Sequence, residues 1–252
     1  MNRKQSPSPF AQKPLGGISA LVLRCLALVF MLLDHLWATI VPGNAWMTYV
    51  GRLAFPIFAF QISEGFFHTS DQKKYLMRLL IFGVISEVPF DLVMSGSWLF
   101  PFHQNVMFTL LLGLLAIRTI EKARQARTGK QICLSALALL GYTLLALIGM
   151  VDYGVMGMWT VVLFYLCRGF SFAWLAQLVA MVLINVVWFE GQSLVLTLAG
   201  MTWYFPTQGF AVLALLPIWL YNGKKGSASR VIQQISYWFY PVHLLIIYLI
   251  AM

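Results

Sequence analysis

The first long apolar run contains an arginine and a histidine whose spacing places them on nearly one face of a helix. Arg24 and His35 are eleven positions apart, so on an α-helix their side chains leave nearly the same face, about 16 Å apart along the axis. Because the unperturbed pKa of histidine is near neutrality, His35 can accept a proton from an amine or alcohol. It could also attack an acyl donor directly, and the adjacent Asp34 is the second candidate catalytic residue.

Both residues also have structural interpretations. Arg24 could anchor the membrane edge by extending its guanidinium to the headgroups, and His35 could make a hydrogen bond between packed helices. An ionisable group inside an apolar run costs several kcal/mol unless it lines a cavity or finds a partner. Two such groups on one helix face therefore favour a functional site, with Arg24 as a candidate residue for binding the acyl donor.

The second apolar run, GRLAFPIFAFQISEGFFH, carries a candidate binding residue towards each end. Arg52 lies at the beginning of this run and Glu64 near its other end. Gly51 and Gly65 have no side chain, so another backbone or a substrate can approach closely at both positions.

Two carboxylates lie four positions apart in the third apolar run. Glu87 and Asp91 share a helix face, and Pro89 between them loosens the local hydrogen bonding. The two groups repel each other unless protons or cations intervene, and the candidate cations belong to the first two runs. These cations are Arg24, His35 and Arg52. The alternative is a purely structural ion-pair network.

Three more polar positions complete the candidate site. His103 and Asn105 stand at the mouth of the fourth apolar run, where they either meet a substrate or cap a helix. His243 lies near the middle of the last run and either lines the site or packs against a neighbour. Asp152 falls in a loop and is expected to be solvated.

The composition places these residues in a membrane protein. Of 252 residues, 60% are hydrophobic and 10% charged, a balance that one soluble core with a wettable surface cannot accommodate. The basic residues behind the net charge of +9 lie in short clusters between apolar runs, which is typical of cytoplasmic loops rather than of nucleic-acid binding. Cys25, Cys133 and Cys167 show no metal-binding spacing, so neither nucleic acid nor a metal is expected.

Nine apolar runs predict an all-α integral membrane protein, a polytopic bundle of nine or ten transmembrane helices. The runs are residues 18–41, 48–67, 75–95, 105–121, 131–150, 153–168, 170–188, 193–221 and 234–251. The run 193–221 contains Pro206, so it is either one kinked span or a half-helix followed by a span. Residues 1–17 are expected to form a disordered cytoplasmic tail, and residues 18–252 a single transmembrane domain.

The distribution of basic residues predicts the orientation. Lys and Arg occur at residues 3–13, 73–78, 118–130, 168 and 224–230, whereas the intervening loops around 42–47, 96–104, 150–153 and 189–192 contain none. Because cytoplasmic loops are enriched in Lys and Arg, the amino terminus is expected in the cytoplasm. With nine crossings, the carboxyl terminus would then lie outside.

Three segments resemble the TraX family of conjugal transfer membrane proteins. They are GRLAFPIFAFQISEGFFHT, KKYLMRLLIFGVISEVPFDL and NVMFTLLLGLL, in that order, and the resemblance covers most of residues 20–120. The later runs are similar to the family only in hydropathy. The resemblance implies a protein of the inner (cytoplasmic) membrane that acetylates the amino terminus of a pilin subunit.

The Arg24 and His35 pair also resembles the arginine and histidine motif of the acyltransferase-3 family, and the closing YPVHLLIIYLI resembles the end of that family's last helix. This resemblance implies a transmembrane acyltransferase that uses cytoplasmic acyl-CoA, here acetyl-CoA. Arg24 and the basic loops would meet the anionic CoA while the thioester reaches towards His35. The acceptor, an amino or hydroxyl group of pilin or of a surface polymer, would enter from the other side or from the lipid.

Two other functions fit the same residues. A transporter or channel would use the charged side chains to coordinate an ion or solute, and a non-catalytic pilus assembly factor would depend on none of them. The leading interpretation is a membrane-embedded N- or O-acetyltransferase.

Overall fold

The computed structural model describes residues 17–189, 191–198, 200–226 and 230–252. Within these ranges the chain forms ten α-helices and one two-stranded sheet. The predicted tail, apart from Gly17, lies outside the described residues. The chain divides into two compact units, one containing Met1–Phe58 with Cys167–Ser236 and the other Ala59–Leu166 with Tyr237–Ile250. The single transmembrane domain stays a prediction.

In the first unit, a long helix packs against a short one. Helix α1 (Ala20–Thr39) is uninterrupted and apolar, and the Ser19 hydroxyl accepts a hydrogen bond from Val22 N–H in its first turn. It packs against α2 (Ala45–Gly51). A turn at residues 52–53 separates α2 from α3 (Ala54–His68), so the predicted run 48–67 is two helices rather than one.

The rest of the first unit contains the sheet. The elements of this part of the chain, in order, are α8 (Ala173–Val182), a π-helical segment (Leu183–Trp188), β1 (Ser193–Leu198), β2 (Met201–Pro206), a 3-10 segment (Thr207–Ala214) and α9 (Leu215–Trp219). The strands are antiparallel, with Ser193 opposite Pro206.

The predicted helical span 193–221, and with it the all-α class, is therefore wrong in its first half. Val, Thr and aromatic residues favour strands there, and Gly200 adopts a φ of +79° at the turn, a conformation that suits glycine. Pairing of the two strands satisfies the backbone of this apolar segment as a helix would have done.

The second unit contains four helices of which α5 is the central one. They are α4 (Gln72–Ser95), α5 (Val106–Ala126), α6 (Gly129–Ile148) and α7 (Gly154–Leu166). Helix α5 contacts each of the other three, and most of α3 and of α10 (Arg230–Ala251) belongs to the same unit. A Cβ atom on Gly113 would lie 2.7 Å from the Val161 side chain, so this glycine allows the close packing of α5 on α7.

Three described helices are long and apolar enough to cross a membrane, namely Ala20–Thr39, Gly129–Ile148 and Gln234–Ala251. Helices α4 and α5 have 24 and 21 residues but include several charged ones, and the remaining apolar helices are shorter. Leu137 and Ile148 of α6 are exposed, as lipid-facing side chains would be. The chain is thus mostly helical with membrane-type helices, and nine crossings stay a prediction.

Candidate functional site

Arg24 and His35 lie on the same uninterrupted helix. Because α1 has no break between them, their separation of eleven residues places both on nearly one face. Both residues are partly buried. Among the described residues, no ion pair involves Arg24, and the Thr39 hydroxyl donates to the His35 carbonyl at 2.6 Å in the last turn.

Asp34 joins α1 to the end of α2. Its Oδ1 accepts a hydrogen bond from the Thr48 hydroxyl at 2.7 Å and lies 3.7 Å from Arg52 Nη2. A Cβ atom on Gly51 would lie 2.8 Å from the same Oδ1, so the predicted close approach at Gly51 is confirmed. These contacts give Asp34 and Arg52 a packing role, and the catalytic role of Asp34 stays a prediction.

Glu64 lies near the end of α3. Its Oε2 is 3.4 Å from Nε2 of His68, one turn later. A Cβ atom on Gly65 would lie 2.7 Å from the Tyr75 hydroxyl, so the close approach predicted at Gly65 is also confirmed, with Tyr75 as the neighbour. Glu64 itself is buried.

Asn105 connects α4 to α5. Its side-chain amide donates to Gly83 O at 2.8 Å and to Glu87 Oε2, while its Oδ1 accepts from Met107 N–H at 3.0 Å as the cap of α5. The predicted helix cap is therefore confirmed. The same Asn105 side chain also binds the Glu87 carboxylate, which was expected to have arginine or histidine as its partner.

Asp91 binds the loop that follows α4. Its Oδ2 accepts from Phe100 N–H at 2.8 Å, and its carbonyl accepts from the Ser95 hydroxyl at 2.8 Å. The second carboxylate oxygens of Glu87 and Asp91, Oε1 and Oδ1, are buried and have no hydrogen-bond partner within the described ranges. Each can therefore accept a proton, or a hydrogen bond from an amine or hydroxyl.

His103 pairs with Asp152, a residue that was expected to be solvated. Its Nε2 lies 3.7 Å from Asp152 Oδ1, and its ring meets the Phe90 ring edge to face with centroids 5.1 Å apart. The Asp152 carboxylate raises the pKa of His103 above its ordinary value, while burial opposes this. Asp152 is anchored because its carbonyl accepts from the Thr109 hydroxyl and its N–H donates to Gln104 O at 2.8 Å. The one feature of the sequence that could have indicated this pair is that Asp152 is an acidic residue in a loop without Lys or Arg.

His243 lies within α10 and is buried. Its Nδ1 lies 2.7 Å from Phe239 O, one turn earlier, and its ring stacks on the Phe239 ring at 4.9 Å between centroids. These contacts fix the orientation of the imidazole. Both contacts are made within α10.

Within each unit, the structure brings some of the predicted site residues together. In the first unit, Arg52 pairs with Asp34, which lies on the helix that carries Arg24 and His35. In the second unit, Asn105 joins Glu87, and His103 feels the charges of both Glu87 and Asp91. Within the described ranges, no three His, Cys, Asp or Glu side chains are arranged to hold a metal ion.

Sequence comparisons relate the chain to proteins of one family. The profile of the family described as "TraX protein" matches residues 19–251. A probable fimbrial assembly protein FimC, serogroup H1, from Dichelobacter nodosus is 39% identical over 110 residues, which cover 39% of this chain and 45% of that protein. The similarity therefore spans less than half of the relative. No solved structure matches the chain.

The profile match confirms the resemblance that the three segments between residues 51 and 115 indicated, and it extends that resemblance to the later segments. The relation to the acyltransferase-3 family stays a prediction. Because the match leaves out only the two ends of the sequence, the chain belongs to the TraX family.

Proposed function

We propose that the protein is a membrane-embedded acyltransferase that moves an acetyl group from cytoplasmic acetyl-CoA to an amino or hydroxyl acceptor outside the cytoplasm. The observation that carries the proposal is the position of Arg24 and His35 on one uninterrupted helix suited to crossing a membrane. Their separation of about 16 Å is half of a hydrocarbon layer about 30 Å thick. In this proposal, one rigid element carries Arg24 towards the cytoplasmic surface and His35 deeper, past the midplane.

In the proposed reaction, the nitrogen or oxygen of the acceptor attacks the thioester carbonyl carbon, and His35 takes the proton that the acceptor loses. A bond forms between this carbon and the acceptor, the carbon–sulfur bond breaks, and the proton returns to the thiolate of CoA. Arg24 holds the anionic donor, because a guanidinium binds phosphate through paired hydrogen bonds.

Two carboxylates of α4 are candidate binding groups within the second unit. Glu87 Oε1 and Asp91 Oδ1 are buried without hydrogen-bond partners in the described structure, and a carboxylate oxygen in that state binds an ammonium or hydroxyl donor well.

The acceptor that the family resemblance implies is pilin, and the relative's name agrees with a role at fimbriae. The protein of Dichelobacter nodosus is named as a probable fimbrial assembly protein, which favours a role of this chain with pili. The same name favours a second candidate, a non-catalytic pilus assembly factor, because it states assembly and no reaction.

Acetylation of the acceptor by variants of α1 tests the proposal. Wild-type protein in membranes, supplied with acetyl-CoA, is expected to add an acetyl-sized mass to pilin, and His35→Ala and Arg24→Ala are expected to abolish this. Cys25→Ala is the matched control, because Cys25 is exposed on the same helix. All variants must be recovered from the membrane in equal amounts.

Three results would contradict the proposal. Full acetylation by His35→Ala would exclude His35 as the base. Normal pili without acetylation in the wild type, unchanged in every variant, would favour the assembly factor. Uptake of a solute that depends on Glu87 and Asp91, without binding of acyl-CoA, would favour a transporter.

A further inference from the structure

A groove of about 490 Å³ opens beside the first turns of α4. Its polar lining includes Ser70, Asp71, Lys74 and Arg78, and its apolar lining consists of Met77 and Ile81. The lining thus changes from polar to apolar along the helix. We call this cavity the α4 groove.

Arg78 is held in the α4 groove by aromatic rings. Its guanidinium carbon lies 5.8 Å from the centroid of the Tyr75 ring and 5.7 Å from that of the Tyr237 ring. The Tyr237 ring stacks on Phe82 at 5.2 Å between centroids, which fixes this support. Two π faces orient the cation and leave its N–H edges available to a planar or tetrahedral anion.

The charge of the α4 groove is not balanced. Asp71 Oδ2 lies 3.5 Å from Lys74 Nζ, and its carboxylate also accepts from Lys74 N–H at 3.0 Å. No described carboxylate lies within ion-pair distance of Arg78. Two cations and one anion line the cavity, so the site attracts an anion, and Arg78 is the cation that lacks one.

An exposed apolar stripe continues from the α4 groove down the helix. Its members recur at helical spacing, and all are exposed: Met77, Ile81, Val84, Ile85 and Val88. From Met77 to Val88 the stripe is about 16 Å long, close to half of a hydrocarbon layer about 30 Å thick. Lys74 and Arg78 lie at one end of this stripe, three positions before and one after Met77.

We propose that the α4 groove binds the phosphate headgroup of an anionic membrane phospholipid, with an acyl chain of that lipid lying along the stripe. Arg78 donates paired hydrogen bonds to the phosphate, and Lys74 adds the attraction of a basic residue at the membrane surface. A soluble phosphate ligand would use the cations but leave the stripe uncovered. The proposal does not depend on acyl transfer.

Titration of phosphatidylglycerol tests the proposal. The purified full-length protein is kept in a zwitterionic detergent, and the bound lipid is measured by native mass spectrometry. Arg78→Gln is expected to weaken binding by at least about tenfold, because the loss of even one of the paired charge-assisted hydrogen bonds has that effect. Lys74→Gln is expected to weaken lipid binding less, because the Lys74 ammonium already pairs with the Asp71 carboxylate. Lys130→Gln removes the same charge from an exposed position outside the groove and is expected to change nothing.

Two further arms separate the contributions. Arg78→Lys keeps the charge and loses the planar fork, so its affinity is expected to lie between those of the wild type and Arg78→Gln. Val84→Asn interrupts the stripe and is expected to weaken the binding of phosphatidylglycerol. Phosphatidylcholine, which has no net charge, is expected to bind the wild type and the variants at positions 74 and 78 equally.

The proposal is overturned by either of two results. One is equal affinity for phosphatidylglycerol in the wild type, Arg78→Gln and Lys74→Gln. The other is displacement of phosphatidylglycerol by free coenzyme A with a dependence on Arg78, which would assign the groove to a soluble phosphate ligand. Absence of such competition supports the lipid.

Discussion

The side-chain amide of Asn105 holds the Glu87 carboxylate against the first turn of α5. The same side chain donates to Gly83 O and accepts from Met107 N–H. One fully buried asparagine thus caps a helix and gives a partner to a carboxylate on the neighbouring helix. The loss of this residue should therefore affect both helices.

Asn105→Ala is expected to lower the free energy of unfolding by about 2 to 4 kcal/mol, because it removes a helix cap and leaves Glu87 without its donor. Asn105→Asp should be worse at neutral pH, since it sets a second negative charge against Glu87. Thermal unfolding in detergent measures both. Gln104→Ala is the control, because the Gln104 side chain makes an exposed bond to Pro101 O. Equal losses at positions 104 and 105 would contradict the prediction.

The pair of His103 and Asp152 should make stability depend on pH. Asp152 raises the pKa of His103 in the folded state, so the pair stabilises the fold fully below the unfolded-state pKa of about 6.5. This contribution is lost as the pH rises through the higher folded-state pKa. Wild-type protein should therefore lose more stability than His103→Gln or Asp152→Asn from about pH 6 to pH 8. Parallel stability curves for the wild type and the variants would show that the pair does not titrate in this way.

Glycines at helix contacts should not tolerate a methyl group. A Cβ atom on Gly51 would meet Asp34, and one on Gly113 would meet Val161, both below 3 Å. Gly51→Ala and Gly113→Ala should therefore destabilise the protein by about 1 to 3 kcal/mol through overpacking. Gly141→Ala, in a helix with open space around it, should be neutral or stabilising by up to about 1 kcal/mol. A stabilising effect at Gly51 would disprove the tight contact between α1 and α2.

Asp34 and Arg52 should be energetically coupled. In a double-mutant cycle of Asp34→Ala and Arg52→Ala, the coupling energy is expected to be about 0.5 to 3 kcal/mol, as for contacting residues. If Asp34 acts only through packing, then Asp34→Asn, which keeps the bond from Thr48, should retain most of any acetyl transfer. Loss of transfer in a stable Asp34→Asn protein would instead restore its catalytic role.

Local features of the sequence were predicted well. The apolar run around Arg24 and His35 is a continuous helix, and Asn105 caps a helix at the predicted position. The glycines at positions 51 and 65 allow close contacts, as their lack of a side chain indicated. The helix and its cap depend on residues close together in the chain, and the lack of a side chain is a property of each glycine by itself, so the sequence alone was sufficient to find these features.

Pairings between distant residues were not predictable from the sequence. Glu87 was expected beside arginine or histidine, yet its amide partner is 18 positions away, and His103 meets Asp152 rather than solvent. The hairpin Ser193–Pro206 replaced an expected helix. An apolar segment can satisfy its backbone as a helix or as paired strands, and only the turn at Gly200 and packing in three dimensions decide between them.

The candidate chemistry of Arg24 and His35 therefore came from the sequence, because helical phase relates two residues on one element. The tertiary structure decided which carboxylates are held by Asn105, by Phe100 N–H and by Arg52. It also brought Tyr237 of α10 to Arg78 of α4. Such partners lie on different elements, and their approach depends on how those elements pack, a property that no local pattern encodes.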